Sequence, residues 1–145
     1  MKHITIAAFA ILLMTQCRPD NREVSASVTK LVGTWQLTGR DSSYAVTLRL
    51  ALNPANPPKD ITHFEASGQS AVNSYNAFLS AAVDGLMVVT SVNATERGAA
   101  PAAMQVEQTY FTSLRAVVRY DMPSDNQLRL YYGGDKPGVL VYRRT

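Results

Sequence analysis

Apolar and polar positions alternate along most of the chain from residue 31 onward. In Tyr44–Leu52, the residues Tyr44, Val46, Leu48, Leu50 and Leu52 share one side while Thr47 and Arg49 take the other, a period of two that predicts a strand with one buried face. A shorter strand is expected at Thr34–Thr38, with Trp35 and Leu37 turned inward. The stretch "NPANPPKD", Asn53–Asp60, holds three prolines in eight residues. Proline has no N–H for a ladder, so this segment is a loop or an edge crossing. A third strand is expected at Ile61–Ser67, then a turn rich in Gly, Ser and Asn at Gly68–Ser74. A fourth strand at Asn76–Val83 contains three alanines that would also suit a helix. Asp84-Gly85 is a hairpin signal leading into a fifth strand, Leu86–Asn93. Three more strands, Val117–Met122, Gln127–Tyr132 and Val139–Arg143, are linked by "PSDN" and "GGDKPG", whose residues are those that turns require.

One segment departs from period two. Ala102–Ala116 reads as a helix, with Pro101 where a first-turn proline is favoured. At 100° per residue, Ala103, Val106, Tyr110, Phe111, Leu114, Val117 and Val118 fall on one arc. Gln105, Gln108, Thr109, Thr112 and Arg115 fall on the other. Glu107 projects into the apolar arc. An ionised carboxylate there must be paired or multiply hydrogen-bonded. The expected role is structural: Glu107 accepts from backbone N–H groups, or from Asn73 or Thr95, and pins the helix to the Gly68–Ser74 turn. The pattern as a whole predicts an α+β, mostly β chain of about eight antiparallel strands with one helix before the last three.

At 145 residues, 46% apolar and 17% charged, the chain suits one folded domain and neither a disordered chain nor a coiled coil. The N-terminus changes that picture. Lys2 precedes an uncharged apolar run of eleven residues, Ile4–Met14. That is short of the ~20 residues a membrane-spanning helix needs and fits an export signal. The only cysteine, Cys17, follows directly and resembles the lipobox cysteine of bacterial lipoproteins, with Met14 and Thr15 acceptable ahead of it and Gln16 where Ala, Gly or Ser is usual. The expected layout is a signal peptide at 1–16, a tether at 17–28 and a domain at 29–145. Cys17 would be the site of lipid attachment, anchoring the chain in the bacterial envelope. Arg18 rather than Asp after the cysteine favours the outer membrane. The alternative is a secreted protein with an unpaired thiol.

Without Lys2 the balance is thirteen basic against eleven acidic residues, and the basic ones are spread along the chain instead of clustered, so no nucleic-acid partner is expected. His63 is the only histidine left after the signal, and it alternates with Phe64 in a strand. With no free thiol, neither a Ser-His-Asp triad nor a His/Cys zinc site is readily built, and no metal or other cofactor is expected. Most aspartates fall in or beside turns, where backbone reasons suffice. Gly133-Gly134 lacks the Lys-Ser/Thr ending of a phosphate loop.

The phrases "LVGTWQLT", "SGQSAVNSYNAF", "DGLMVV", "VEQTYFTSLRAVVRY" and "NQLRLYY" stand in order across Leu31–Tyr132. Together they resemble the META domain family, the HslJ-like bacterial lipoproteins and their relatives. The resemblance implies a small, partly open antiparallel β-barrel packed against one helix, an association with stress response, and no established catalytic activity. Many members carry a cysteine before the turn asparagine and another after the fifth strand. Here Val72 precedes Asn73, and the second region holds Ala99 and Ala100, so any thiol-based role is excluded. Glu107, Asn73, Gly68, Tyr75 and Trp35 are the candidate structural or functional residues, and no catalytic residue is assigned. The expected function is a non-enzymatic binding or chaperone-like module holding an apolar ligand or envelope protein segment beside the helix. The alternatives are an envelope hydrolase using acidic residues and a purely structural stress protein.

Overall fold

A computed structural model describes residues 26–39 and 43–145. Cys17, the signal segment and most of the tether lie outside the described residues. Eight strands and two helices follow in the order α1 (Ala26–Thr29), β1 (Gly33–Thr38), β2 (Thr47–Leu52), β3 (Ile61–Gln69), β4 (Ser74–Ala82), β5 (Met87–Ala94), α2 (Pro101–Arg115), β6 (Val117–Ser124), β7 (Gln127–Tyr132) and β8 (Gly138–Arg144). Every neighbouring pair is antiparallel, in the spatial order β5-β4-β3-β2-β1-β8-β7-β6. The sheet curls into a half-barrel whose two edge strands, β5 and β6, meet through a single bridge between Leu86 and Arg119. Tyr120 reinforces that seam: its N–H donates to Gly85 O at 2.9 Å and its hydroxyl to Ala82 O at 2.9 Å.

Alternation in the sequence becomes alternation in burial. Trp35 and Leu37 of β1, Leu48 and Leu50 of β2, Phe64 and Ala66 of β3, and Tyr75, Ala77, Leu79 and Ala81 of β4 all point into one core. The alanines of β4 therefore belong to a strand. Ala77 and Ala81 alternate with Tyr75 and Leu79, and the strand period decides over helix propensity because it buries the larger side chains. The register allows little slippage, since a one-residue shift would turn Phe64 and Leu79 outward.

Most element ends shift by one to three residues from the sequence pattern, and four differences bear on the packing. β2 begins at Thr47 instead of Tyr44; Val46 is still buried, and its carbonyl accepts the Leu37 N–H at 2.9 Å. Gly68 lies inside β3 and not in the turn, which shrinks to 70–73. Val118 is exposed, because the helix ends at Arg115 and strand alternation takes over from Val117. Val28, expected at the end of the tether, is fully buried in the core beside Leu31. The packed domain thus starts slightly before residue 29.

The two helices sit at opposite ends of the barrel. The lower end is where β1 starts, and there Trp35 Nε1 donates to Leu31 O at 2.9 Å. Arg144 stitches this end shut: Nε donates to Asp125 O at 2.8 Å, Nη1 to Val32 O at 2.9 Å and Nη2 to Lys30 O at 2.6 Å, with its guanidinium 4.1 Å from the Trp35 ring centroid. The upper end is covered by α2. Its Ala103, Tyr110, Phe111, Ser113 and Leu114 are buried.

Candidate functional site

The 70–73 turn, the strand ends around it and α2 form the most densely hydrogen-bonded part of the upper end. Ser70 begins the turn, its N–H donating to Asn73 O at 2.7 Å, and the Asn73 N–H reaches back to Ser70 Oγ at 3.1 Å. This reciprocal Ser/Asn turn leaves the Val72 N–H and the shared Asn73 N–H facing α2. Glu107 takes them. Its Oε2 accepts from the Val72 N–H at 3.2 Å, the Asn73 N–H at 2.8 Å and the Ser70 hydroxyl, and its Oε1 accepts from Asn73 Nδ2 at 2.7 Å. The Asn73 side chain extends the link: its Oδ1 accepts from Thr95 Oγ1 and from the Arg97 N–H, both at 2.8 Å. Helix, turn and the segment after β5 are tied together through one asparagine. Thr95 reaches Glu107 only by way of Asn73.

Burial by itself would raise the Glu107 pKa. The donors from Ser70, the Asn73 side chain and backbone, and Val72 outweigh it, so the carboxyl lies below its ordinary range and stays ionised at neutral pH. Oε2 takes three donors and Oε1 one, so the carboxylate is committed to the turn. Its place in the architecture is that of a clamp.

Gly68 and Tyr75 face each other across β3 and β4. A Cβ at Gly68 would lie 2.0 Å from Thr47 O, so the residue is glycine because of close approach, with no unusual φ involved. The Tyr75 ring passes over that gap, and its hydroxyl donates to Thr47 O at 2.8 Å. Tyr75 and Tyr110 hydroxyls are 2.7 Å apart, and the Tyr142 hydroxyl donates to Tyr110 at 3.2 Å. The three protons can be placed in one direction only, Tyr142 to Tyr110 to Tyr75 to Thr47, and each donor is then used. Burial raises all three phenols well above their ordinary value, with the neighbouring tyrosines contributing. The sequence places Tyr110 on the apolar helix arc and Tyr75 among the candidate residues, but carries no local sign of Thr47 or of the hydroxyl chain. For Ser70 the local sign is its place in the turn, three residues before Asn73.

Of the candidate residues, Glu107, Asn73, Gly68 and Tyr75 lie together at the upper end. Trp35 is apart from them, at the lower end under Arg144, and Cys17 is outside the described residues. His63 is an exposed strand residue whose Nδ1 is 2.8 Å from Ser80 Oγ. Among the described residues no three His, Cys, Asp or Glu side chains gather as a metal site.

Beside the clamp a groove runs between α2 and the sheet. One half, about 280 Å³, is lined by Leu37, Val46, Val106, Tyr110, Leu140 and Val141 among others. It adjoins a wider polar half of about 780 Å³ between α2 and the β7–β8 turn, with Gln105, Gln108, Asp135 and Lys136 on its walls. Thr109, Ser113 and Tyr132 line both halves. Asp135 is the one carboxylate among the described lining residues.

The sequence profile of the META domain matches residues 27–144. Among solved structures, the NMR structure of a protein from Burkholderia xenovorans is similar in fold, at 21% sequence identity and a TM-score of 0.59, covering 100% of this chain and 98% of that one. No curated protein matches the chain significantly.

Proposed function

Because this chain belongs to the META domain family, we propose that it is a non-enzymatic binding module, anchored in the bacterial envelope through an acylated Cys17, that holds an apolar or amphiphilic segment in the groove beside α2. The observation that carries the reading is the groove itself: an apolar slot continuous with a polar trough, its volume in the range of ligand and peptide sites. Hydrolysis by paired carboxylates requires two acids facing each other across a cleft. Asp135 stands alone in the described lining, and Glu107 is occupied by the turn. The Glu107–Asn73 clamp keeps α2 at a fixed distance from the sheet, so the slot is pre-formed and loses little ordering entropy on binding.

The test uses two probes, a fluorescent fatty acid and a short apolar peptide, titrated against the protein and against Val106→Trp, which fills the slot from the half-buried helix face. Saturable binding that Val106→Trp weakens at least tenfold supports the reading. Equal binding by both proteins, or none by either, overturns it. Mass analysis of protein from its own envelope settles the anchor, since an unmodified residue 17 removes that part.

A further inference from the structure

We infer that the lower end of the barrel, where the chain enters through α1, is a bilayer-contacting face that holds the domain with its groove turned toward the aqueous side. The exposed apolar side chains at this end are Val32, Ile61, Val83 and Leu86, at 37%, 57%, 37% and 49% exposure. Backbone pairing makes three of them neighbours. The Val83 N–H donates to Asp60 O at 3.2 Å, Ile61 lies opposite Ala82, and the Ala82 N–H donates to Leu86 O at 2.9 Å. Val32 stands on the same end directly before β1. Nothing in the barrel itself requires these residues to be apolar, since the interior is already filled from the other face of each strand.

The occupant follows from where the chain comes from. This inference rests on the proposed acylation of Cys17. Eight residues lie between Cys17 and Ala26, a reach of at most about 30 Å even when fully extended. An anchor there holds the α1 end, and not the α2 end, beside the bilayer. Four side chains also fall short of the roughly 20–30 residues a side that a stable protein interface uses. They suit shallow insertion into a headgroup layer, whose strength scales with apolar area. Charge at this end is mixed: Lys30 pairs with Asp125 at 2.9 Å, Lys59 precedes Asp60, and Arg119 Nη2 lies 3.4 Å from Asp84 O. With both signs interspersed, contact depends on apolar insertion and is insensitive to salt. The groove lies at the other end, beside α2, so a bound segment arrives from the aqueous compartment and not from the supporting bilayer.

The experiment places a nitroxide on the acylated full-length chain through Leu86→Cys or, as controls, Val83→Cys at the same end and Asp135→Cys at the groove end. Acylation leaves no other free thiol. The proteins are reconstituted in vesicles of phosphatidylethanolamine and phosphatidylglycerol, and collision with oxygen is compared with collision with a water-soluble nickel complex. The expected result is an oxygen-to-nickel ratio several-fold higher at positions 86 and 83 than at 135, equal at low and high salt. Equal ratios at all three positions on vesicles that float with bound protein overturn this inference and leave the anchor intact. Failure to float, with residue 17 unmodified by mass, overturns both. Spin–spin broadening at position 86 that disappears on dilution with unlabelled protein assigns the face to a second copy and overturns it as well.

Discussion

Glu107 grips Asn73 at two points, the side-chain amide through Oε1 at 2.7 Å and the backbone N–H through Oε2 at 2.8 Å. One residue is thereby fixed in both side-chain rotamer and backbone position, and its remaining carbonyl oxygen is aimed at Thr95 and Arg97. Glu107→Gln removes the charge and turns a donor toward groups that are donors themselves. Hydrogen bonds to charged groups are worth about 1.5–3 kcal/mol, and the loss is expected in that range by urea denaturation. Asn73→Asp is expected to be worse, because it sets two carboxylates against each other.

The same clamp sets a pH dependence. The folded Glu107 pKa is lowered, so its stabilisation is present above the unfolded value and is lost as pH falls through the folded one. The Asp125 carboxyl is also lowered, by hydrogen bonding to Lys30 and by its charge, so total acid stability mixes the two. The difference in unfolding free energy between wild type and Glu107→Gln isolates the clamp. It should be constant near neutrality and shrink as the carboxyl protonates; a difference that does not change with acidification contradicts the assignment.

Tyr110 stands in the middle of the hydroxyl chain, so Tyr110→Phe leaves Tyr142 without its acceptor while Tyr75 keeps Thr47 O. An unsatisfied buried hydroxyl costs about 1–3 kcal/mol. Tyr75→Phe strands the Tyr110 hydroxyl in the same way and also removes the donor to Thr47 O, so both variants are expected to lower the melting temperature, Tyr75→Phe at least as much as Tyr110→Phe. Alkali gives a second readout. The folded pKa values of Tyr75, Tyr110 and Tyr142 are raised, so the stability they confer is intact below the unfolded value and is lost as pH rises toward the folded one. In a spectrophotometric titration these three phenols should ionise only together with unfolding.

Gly68→Ala puts a methyl group 2.0 Å from Thr47 O and 2.9 Å from the Tyr75 ring. Backbone on one side and a hydrogen-bonded ring on the other leave no soft neighbour to move. Destabilisation of about 3 kcal/mol, the upper part of the overpacking range, is expected from denaturant midpoints.

Arg144→Lys removes the planar fork that satisfies three carbonyls at once and stacks on Trp35. Trp35 is the only tryptophan, so its emission reports on the lower end alone. A red shift and increased quenching by acrylamide are expected for Arg144→Lys, while Glu107→Gln leaves the emission unchanged.

The sequence by itself determined the strands, the helix and their order, because burial on one face of a strand or helix leaves a period of two or 3.6 that no partner needs to supply. It also made Glu107 conspicuous, since a charge inside an apolar arc demands donors. The donors themselves were decided by tertiary structure. Ser70 and Asn73 lie 37 and 34 residues from Glu107 in the chain, and only the β3–β4 hairpin brings them under the helix. Gly68 read as a turn glycine because local sequence cannot register that Thr47, 21 residues earlier, passes against it. The helical arc, carried on past the helix to Val118, would turn that residue inward, whereas the strand period that begins at Val117 turns it out. The point where one period gives way to the other is decided by the packing of α2 and β6. The groove beside α2 and the apolar rim below have no linear pattern at all, since each is assembled from residues on separate elements. Periodicity records which way one element faces; what it faces depends on loop closure and strand pairing across the whole barrel.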